Sequence, residues 1–389
     1  MAMLAYGAVT TPRFRSRPPG NHQELRRTPN EPVQYMLPDE GSYRMNLRFV
    51  AALVAVAGAA LSAQAPTPYK FGTFQLQTRT FVGIVTGTSV IDFAAANAAL
   101  TTGRRIVSPA NMKDLITRYD SGLRERTVEI LRAVNGTAAK PSYVHELATV
   151  KTLAPIAPTT MLNAAVNYRA HGVEMKGGAG DAAPGTKSIA GIWERAAGDA
   201  RWNPYMFLKS PTAVIADGES IRIPKDRTRV DWECELGVVV AKQASAVPVA
   251  QAASYIFGYT MEMDISDREA RGDERYGSDW LIAKSHDTFA PLGPFITPKE
   301  FVPNPRNLRV TFTLNGQIMQ DANTSLMIHD VFELVAYGSN ILTLRPGDVL
   351  ASGTPAGVGS ARSPALFLKA GDRTSCTYEG VGTLNNDVK

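Results

Sequence analysis

Short runs with strand character dominate the chain after residue 155. The segment 309–320 (RVTFTLNGQIMQ) predicts a hairpin around Asn315-Gly316, a dipeptide that favours tight turns between antiparallel strands. Further strands are predicted within 231–241, 255–266, 348–353 and 373–384, and one helix within 325–340. Many short strands separated by Gly and Pro indicate a closed or sandwiched β architecture. We therefore predict a mixed β fold for residues 155–389.

A small α+β domain is predicted over residues 66–150. The segment 78–93 (TRTFVGIVTGTSVIDF) has two apolar strands joined at Gly87-Thr88, and two helical patterns follow at 111–120 and 123–134. The Gly- and Ala-rich stretch 175–204 lies inside the larger domain and contains one possible short helix at 188–196. Long insertions of this kind are often lids over a site, so we expect a lid insertion here.

The first 65 residues have the pattern of a targeting segment and not that of a folded core. Residues 1–44 lack apolar periodicity and are expected to be disordered, or not translated if synthesis starts at Met45. Residues 45–65 have a basic start, an uncharged run over 49–61 and small residues at the end. This order predicts a secretory signal peptide and export, with a core helix or an uncleaved anchor as the alternative.

Composition excludes several classes of protein. The 389 residues are 44% apolar and 20% charged, which is typical of a globular protein. The net charge is +5, but residues 1–65 hold seven arginines and four acids, so only +2 remains for the rest, and a nucleic-acid partner is not expected. Cys234 and Cys376 are too few for a disulfide framework or a Cys-rich zinc site. Whether these two cysteines pair is left open.

The first sign of chemistry is a pair of acids two residues apart. Alternate residues of a strand face the same side, so Glu233 and Glu235 point together and need a positive partner. A hard divalent cation is the natural candidate, and Asp264 in the next predicted strand offers a third oxygen donor. Three carboxylates with water suit Mg²⁺, with Mn²⁺ or Ca²⁺ also possible. The alternative for such a pair alone is an ordinary solvated face of a sheet.

Several motifs in order resemble one known family. The runs are NYRAHGVE at 167–174, DWECEL at 231–236, GYTMEMDISDR at 258–268, KSHDTFAPLGP at 284–294, LRPGD at 344–348, GTPAGVG at 353–359 and EGVGTL at 379–384. Together they are similar to the fumarylacetoacetate hydrolase family, including its acylpyruvase and 2-hydroxyhepta-2,4-diene-1,7-dioate isomerase types. The resemblance covers residues 155–389 and implies a β-roll or β-sandwich catalytic domain, preceded by the small α+β domain.

The resemblance also implies the roles of individual residues. Glu233, Glu235 and Asp264 would be the metal ligands, and the pair His171 and Glu174 would sit on a closing lid and activate water. Lys284 would face a carbonyl or carboxylate of the substrate, the alternative being a surface lysine.

Three further residues are expected to bind substrate. Arg268 would hold a substrate carboxylate, unless it forms a salt bridge to the acidic cluster instead. Arg271 would suit a second acid group of the substrate. Thr354 would offer its hydroxyl and nearby backbone N–H groups to a carboxylate, the alternative being a tight turn that needs small residues. Lys209 is left open between a site residue and a scaffold residue.

The function expected from this reading is metal-dependent hydrolysis of a C–C bond in a small 2,4-dioxo acid. The alternatives are isomerisation (tautomerisation), decarboxylation or dehydration of an oxo acid through an enolate stabilised at the same site. A second alternative is an exported binding protein that captures oxo acids without turnover. The expected partners are a small oxo-acid substrate and a second copy of the chain in a homodimer, with no membrane span after processing.

Overall fold

A computed structural model describes residues 67–103, 105–175, 197–199, 201–269 and 279–389. The expectations for residues 1–44 and 45–65 and for the short helix at 188–196 lie outside these residues, as does most of the expected lid. Residues 65–389 form one compact unit. In the described part of the chain, no helix has the length and apolar character needed to cross a membrane.

Strands are the main elements of the described chain. They are β1 Lys70–Leu76, β2 Arg79–Thr86, β3 Ser89–Asp92, β4 Val144–Glu146, β5 Lys151–Leu153, β6 Met161–Ala165, β7 Tyr205–Lys209, β8 Val214–Ile215, β9 Val230–Asp231, β10 Cys234–Val240, β11 Ile256–Met263, β12 Ser266–Asp267, β13 Ala290–Pro298, β14 Arg309–Leu314, β15 Gln317–Asn323, β16 Val349–Ala351, β17 Arg373–Tyr378 and β18 Gly382–Asp387.

Helices connect the strands. The α-helices are α1 Phe93–Ala99, α2 Met112–Arg118, α3 Leu123–Asn135, α4 Arg169–Glu174, α5 Trp280–Lys284 and α6 Val331–Ile341. Short 3-10 helices cover Tyr119–Ser121, Leu147–Thr149, Pro211–Ala213, Val249–Tyr255, Lys299–Phe301, Thr324–Leu326 and Gly359–Ala361.

One large, mostly antiparallel sheet organises the fold. Its strand order is β4-β3-β2-β1-β13-β11-β10-β16-β6-β7, with β5 paired to β1 and β8 paired to β13. The hairpin expected at Gly87-Thr88 is present as β2 and β3, and β1 joins β13 where Phe71 pairs with Ile296. The small N-terminal part therefore shares a sheet with the larger part, which agrees with the expected mixed β and α+β class.

The centre of this sheet is fully buried. Every residue of β10 and β11 is buried, because helices and a second sheet cover the two faces. Strands in that position read as continuous apolar runs. The acids within and next to β10 and β11 are therefore exceptions. Burial disfavours their charged form, so their presence indicates a requirement other than stability.

A second sheet of four strands packs against the central strands. Its order is β15-β14-β17-β18, and it contains the expected hairpin at Asn315-Gly316 between β14 and β15. Trp232 stacks on Phe312 in the core between the sheets, with ring centroids 5.5 Å apart. Cys234 of β10 and Cys376 of β17 form a disulfide across the same core, which answers the question that the sequence left open. The two sheets are thus packed and covalently joined beside Glu233 and Glu235.

The helix α6 begins later than the sequence pattern indicates. Its pattern started at residue 325, but the helix begins at Val331 because Asp330 caps it. The Asp330 side chain accepts from the N–H groups of Phe332 and Glu333, and the Glu333 side chain accepts from the N–H of Asp330. This capping box fixes the start of the helix.

Removal of the disulfide should lower stability without changing the fold. The bond closes a loop of 142 residues, and losing such a link costs about 2–5 kcal/mol of unfolding free energy. We expect the double variant Cys234→Ala/Cys376→Ala to unfold at clearly lower urea concentration than the oxidised wild type. Reduced wild type serves as the control and should resemble the variant. Equal urea midpoints for all three would contradict this expectation.

The capping glutamate should make stability depend on pH. Burial alone would raise the pKa of Glu333, but the nearby imidazole of His329 and hydrogen bonds from Arg201 outweigh it and lower the pKa to about 2. A folded-state pKa below the ordinary 4.5 stabilises the protein fully above pH 4.5, and the stabilisation is lost as pH falls toward 2. We expect Glu333→Gln to reduce stability by about 1–2 kcal/mol at pH 7 and by almost nothing near pH 2.

Thermal unfolding between pH 7 and 2 measures this difference. The matched control is Glu146→Gln, an exposed acid paired with Lys140, whose loss should matter little at any pH. A Glu333→Gln deficit that is the same at pH 7 and pH 2 would show that the charge of Glu333 is not responsible.

Candidate active site

Four acids occupy two alternate rungs at one end of the β10–β11 pair, on either side of the rung of Cys234 and Met263. Glu235 lies opposite Glu262 in the register, and the N–H of Asp264 donates to the carbonyl of Glu233 at 2.9 Å. Paired residues of antiparallel strands project to the same face, as do residues two apart, so all four side chains share one face. Glu233, Glu235 and Asp264 converge until one oxygen of each lies within 4.8 Å of the others.

Two lysines neutralise part of this acidic cluster. The ammonium of Lys284, at the end of α5, donates to Glu233 at 2.8 Å and to Asp264 at 2.6 Å. The ammonium of Lys209, at the end of β7, donates to Asp264 at 2.5 Å and to the carbonyl of Ile265 at 3.1 Å. Both lysines are buried, so neither is a surface residue. Lys209, which the sequence left open, belongs to the site.

Arg268 completes the positive side of the cluster. Its Nε donates to Asp231 at 2.9 Å and its Nη2 to Glu233 at 2.7 Å. The salt bridge to the acidic cluster, the alternative in the sequence reading, is therefore what the structure contains. Its Nη1 has no hydrogen-bond partner in the described part of the chain.

The acids respond differently to their surroundings. Burial alone would raise the pKa of Glu233, but Lys284 and Arg268 hold it well below its usual range. Burial and the neighbouring charges of Asp264 and Glu262 raise the pKa of Glu235 well above its usual range. Burial, reinforced by Asp264, raises the pKa of Glu262 to about 8. Glu235 and Glu262 thus accept no hydrogen bond from a lysine or arginine in the described part of the chain, and burial favours their neutral form.

A glycine loop positions three of the site's carboxylates. Gly353 N–H donates to Glu235 at 2.8 Å, and Gly357 N–H donates to Glu174 at 2.8 Å. Gly359 N–H donates to Asp231 at 2.7 Å. Gly353 and Gly357 both have φ in the left-handed region, and a Cβ on Gly357 would lie 2.2 Å from a backbone oxygen. Glycine is therefore required for these N–H groups to reach the acids.

The expected histidine and glutamate form a hydrogen-bonded pair. On α4, Nδ1 of His171 lies 2.7 Å from Oε1 of Glu174, at the i and i+3 spacing that places both on one face. His171 is buried and close enough to Glu233 for its charge to lower the pKa of that acid. The second oxygen of Glu174 is held by Gly357, so the loop that positions Glu235 also orients the pair.

Comparison with known proteins identifies the family of this chain. The model of the fumarylacetoacetate hydrolase C-terminal family matches residues 160–389. This chain belongs to the fumarylacetoacetate hydrolase family. The expectation drawn from its motifs is thereby confirmed.

Relatives in this family carry out more than one reaction. A mitochondrial oxaloacetate tautomerase of Rattus norvegicus is 38% identical over 186 residues, 48% of this chain and 59% of that protein, so the chain spans less than two thirds of that relative. The structure of 5-carboxymethyl-2-hydroxymuconate delta-isomerase from Mycobacterium smegmatis is 29% identical, with a TM-score of 0.56 over 82% of this chain and 98% of its own. The maleylpyruvate hydrolase of Sphingobium sp. SYK-6, solved with manganese(II) and pyruvate, is 26% identical, with a TM-score of 0.59 and the same coverage.

The buried charges of this family member suit one divalent cation. The cluster holds five acids and three cations: Asp231, Glu233, Glu235, Glu262 and Asp264 against Lys209, Arg268 and Lys284. Fully ionised, these groups leave two negative charges in the described part of the site. Oε1 of Glu235 also has no hydrogen-bond partner there. Hard oxygen donors with two excess negative charges fit a hard divalent ion, and members of this family use one.

Thr354 is placed differently from the expectation. Its hydroxyl donates to the carbonyl of Cys234 at 3.1 Å and accepts from the Gln320 amide at 2.8 Å. Its donor is therefore used inside the protein, and the turn reading describes it better. The backbone N–H groups of this loop do bind carboxylates, but those described bind the protein's own acids. Arg271, the other expected substrate residue, lies outside the described residues.

Several residues of the site were missed from the sequence. Asp231 anchors Arg268 and accepts from three backbone N–H groups, those of Trp232, Gly359 and Ser360. Glu262 was also missed, although its position in the mostly apolar run 255–263 was an available signal. The position of Asp231 in the DWECEL motif carried no equivalent signal, because its partners come from distant segments.

Replacing Asp264 should show whether this acid binds a metal ion or only contributes to stability. We expect Asp264→Asn to weaken Mn²⁺ binding roughly 100-fold or more, because the variant loses a ligand as well as charge. Stability should also fall by about 3–5 kcal/mol, since Lys209 and Lys284 lose a buried partner. Isothermal titration and thermal unfolding measure the two effects.

The matched control is a second buried acid three residues further along the chain. Asp267 pairs with Arg227 at 3.1 Å and His286 at 3.3 Å but is not one of the three converging acids. Asp267→Asn should cost stability and leave Mn²⁺ affinity unchanged. Equal loss of affinity in both variants would show that the three acids are not the ligands.

Proposed function

We propose that this protein is a divalent-metal-dependent enzyme that acts on a small 2-oxo acid by enolisation. The observation that carries the proposal is the juxtaposition of three converging buried acids with a histidine–glutamate pair. A divalent cation held by Glu233, Glu235 and Asp264 would polarise the 2-oxo oxygen and stabilise negative charge that develops on it. Mg²⁺ is the proposed physiological ion, with Mn²⁺ and Ca²⁺ as alternatives.

The chain's own residues supply the remaining chemistry. Glu174, held by Gly357, fixes the orientation of His171 and supports positive charge on it, so His171 can accept a proton. Lys284 lies between Glu233 and Asp264 and places a positive charge beside the position of the substrate oxygens. The Nη1 of Arg268 is available to a substrate carboxylate.

Hydrolysis of a C–C bond in a 2,4-dioxo acid is the first candidate reaction. The complete His171–Glu174 pair favours it, because hydrolysis requires a base that removes a proton from water before attack on the second carbonyl. The bond between C3 and the attacked carbonyl then breaks, and its electrons pass to the enolate of the pyruvate product.

Tautomerisation of an oxo acid is the second candidate reaction. The 38% identity to an oxaloacetate tautomerase over 186 residues supports it. The same base, His171, would then move a proton between C3 and the oxygen without water. The two candidates share every residue described above, so the products must decide between them.

Export and assembly are further proposals. The disulfide supports export, because such bonds persist mainly in oxidising compartments. The signal-peptide pattern over 45–65 points the same way. A homodimer, with no nucleic-acid partner, is proposed from the family resemblance and from the modest charge of the chain after residue 65.

One coupled assay tests the proposed reaction. Purified protein with Mg²⁺ is given acylpyruvates, fumarylpyruvate and enol-oxaloacetate, while pyruvate release and the decay of enol absorbance are followed separately. We expect activity that a chelator abolishes, and a loss of kcat of roughly 10²–10⁴-fold in His171→Ala with Mn²⁺ affinity retained. His145→Ala, on the edge strand β4, is the matched control and should keep full activity.

Each outcome of this assay has a meaning. Pyruvate release from an acylpyruvate or fumarylpyruvate identifies the hydrolase, whereas pyruvate and carbon dioxide from oxaloacetate identify the decarboxylase. Enol decay without pyruvate release identifies the tautomerase. Binding of pyruvate or oxalate without turnover on any substrate would overturn the enzymatic proposal and support an oxo-acid binding protein.

A further inference from the structure

Glu262 is a buried acid for which the reaction described above has no use. It is 0% exposed on the central strand β11, and Asn163 donates to its Oε2 at 3.3 Å. Its other oxygen, Oε1, has no hydrogen-bond partner among the described residues. A buried carboxylate with one long, neutral hydrogen bond opposes folding, so retaining it without a function would be costly.

The location of Glu262 connects it to the three converging acids. It lies opposite Glu235 on one rung and shares its face of β11 with Asp264 on the next. Lys209 and Lys284 both lie close enough to influence it, but their hydrogen bonds go to other acids. Glu262 is therefore a fourth acid on the same face as the three acids that converge.

Several buried oxygens on Glu262 and its neighbours have no hydrogen-bond partner. Oε1 of Glu235, Oε1 of Glu262 and Oδ1 of Asn163 all lack partners in the described part of the chain, and all three atoms are buried. Asn163 reaches Glu262 from β6, on the other side of β10 and β16. When these acids are ionised, the group consists of acceptors without donors, which suits a species that brings only donors, such as a cation with its bound water.

We propose that Glu262 is a fourth acid of the metal centre, which together with Asn163 accepts hydrogen bonds from the water that a divalent cation retains and so strengthens its binding. The inference rests on the metal site in the proposed function and goes beyond it, since Glu262 is not one of the three ligands. Partners that surround bound ions in this way contribute about 10–100-fold to affinity.

The variant Glu262→Gln separates this role from a structural one. The new amide can donate to Oδ1 of Asn163 while its oxygen still accepts from the Asn163 amide, so the metal-free protein should unfold at the same or a higher temperature. Affinity for Mg²⁺ and Mn²⁺ should nevertheless fall about 10–100-fold in isothermal titration. A purely structural acid would give the reverse, with affinity retained.

A control on the same strand checks for general disturbance of β11. Thr260 lies two residues before Glu262 on the same face, is buried, and has a hydroxyl without a partner among the described residues. Thr260→Val keeps its shape and should leave the affinity within about threefold of the wild type. Glu262→Ala, which removes the acid without adding an amide, should weaken binding as Glu262→Gln does, and it replaces that variant if the glutamine does not fold.

The results distinguish failure of the inference from failure of the metal site. Wild type that binds Mn²⁺ together with Glu262→Gln of equal affinity overturns the role of Glu262 alone. Equal weakening in Thr260→Val also overturns it, because the strand would then be responsible. Wild type that takes up neither Mg²⁺ nor Mn²⁺ removes the metal centre itself, and the inference with it.

Discussion

The antiparallel register between β10 and β11 is the constraint on which the rest of the site depends. It places Glu233 beside Asp264 and Glu235 beside Glu262 on one buried face. A slip of β11 by one residue would turn Glu262 and Asp264 to the opposite face, toward the apolar core between the two sheets, and would separate them from Glu233 and Glu235. Burial then removes water from the acids, so their negative charge has to be balanced by buried cations or by a bound ion.

The positive side chains are distributed unevenly among the acids of the cluster. Lys284 and Arg268 compensate Glu233, and Lys209 and Lys284 compensate Asp264, whereas no lysine or arginine donates to Glu235 or Glu262 in the described part of the chain. The two acids without a basic partner therefore lie on one side of the site. Because unpaired buried charge opposes folding, this arrangement exchanges stability for affinity toward a cation, as functional sites commonly do.

Local spacing was sufficient to predict part of this site. The two-residue period of a strand put Glu233 and Glu235 on one face, and the next predicted strand supplied Asp264. The family resemblance named His171 and Glu174 as a pair, and their i and i+3 spacing was consistent with it. The remaining contacts depend on segments far apart in sequence: Asp231 receives the N–H groups of Gly359 and Ser360, and Thr354 is held by Gln320. No periodicity in one segment can indicate such partners.

The disulfide and the glycine loop act on the same short stretch of chain. Cys234, between the two glutamates, is bonded to Cys376 on the second sheet, and its carbonyl accepts from the Thr354 hydroxyl. The loop after β16 holds Glu235 through Gly353 and Glu174 through Gly357. The acids that would hold a cation and the pair that would move a proton are therefore fixed by one loop. A displacement of that loop would therefore disturb both functions together. Gly353 and Gly357, which make the two contacts, have a left-handed backbone conformation that glycine adopts without steric strain.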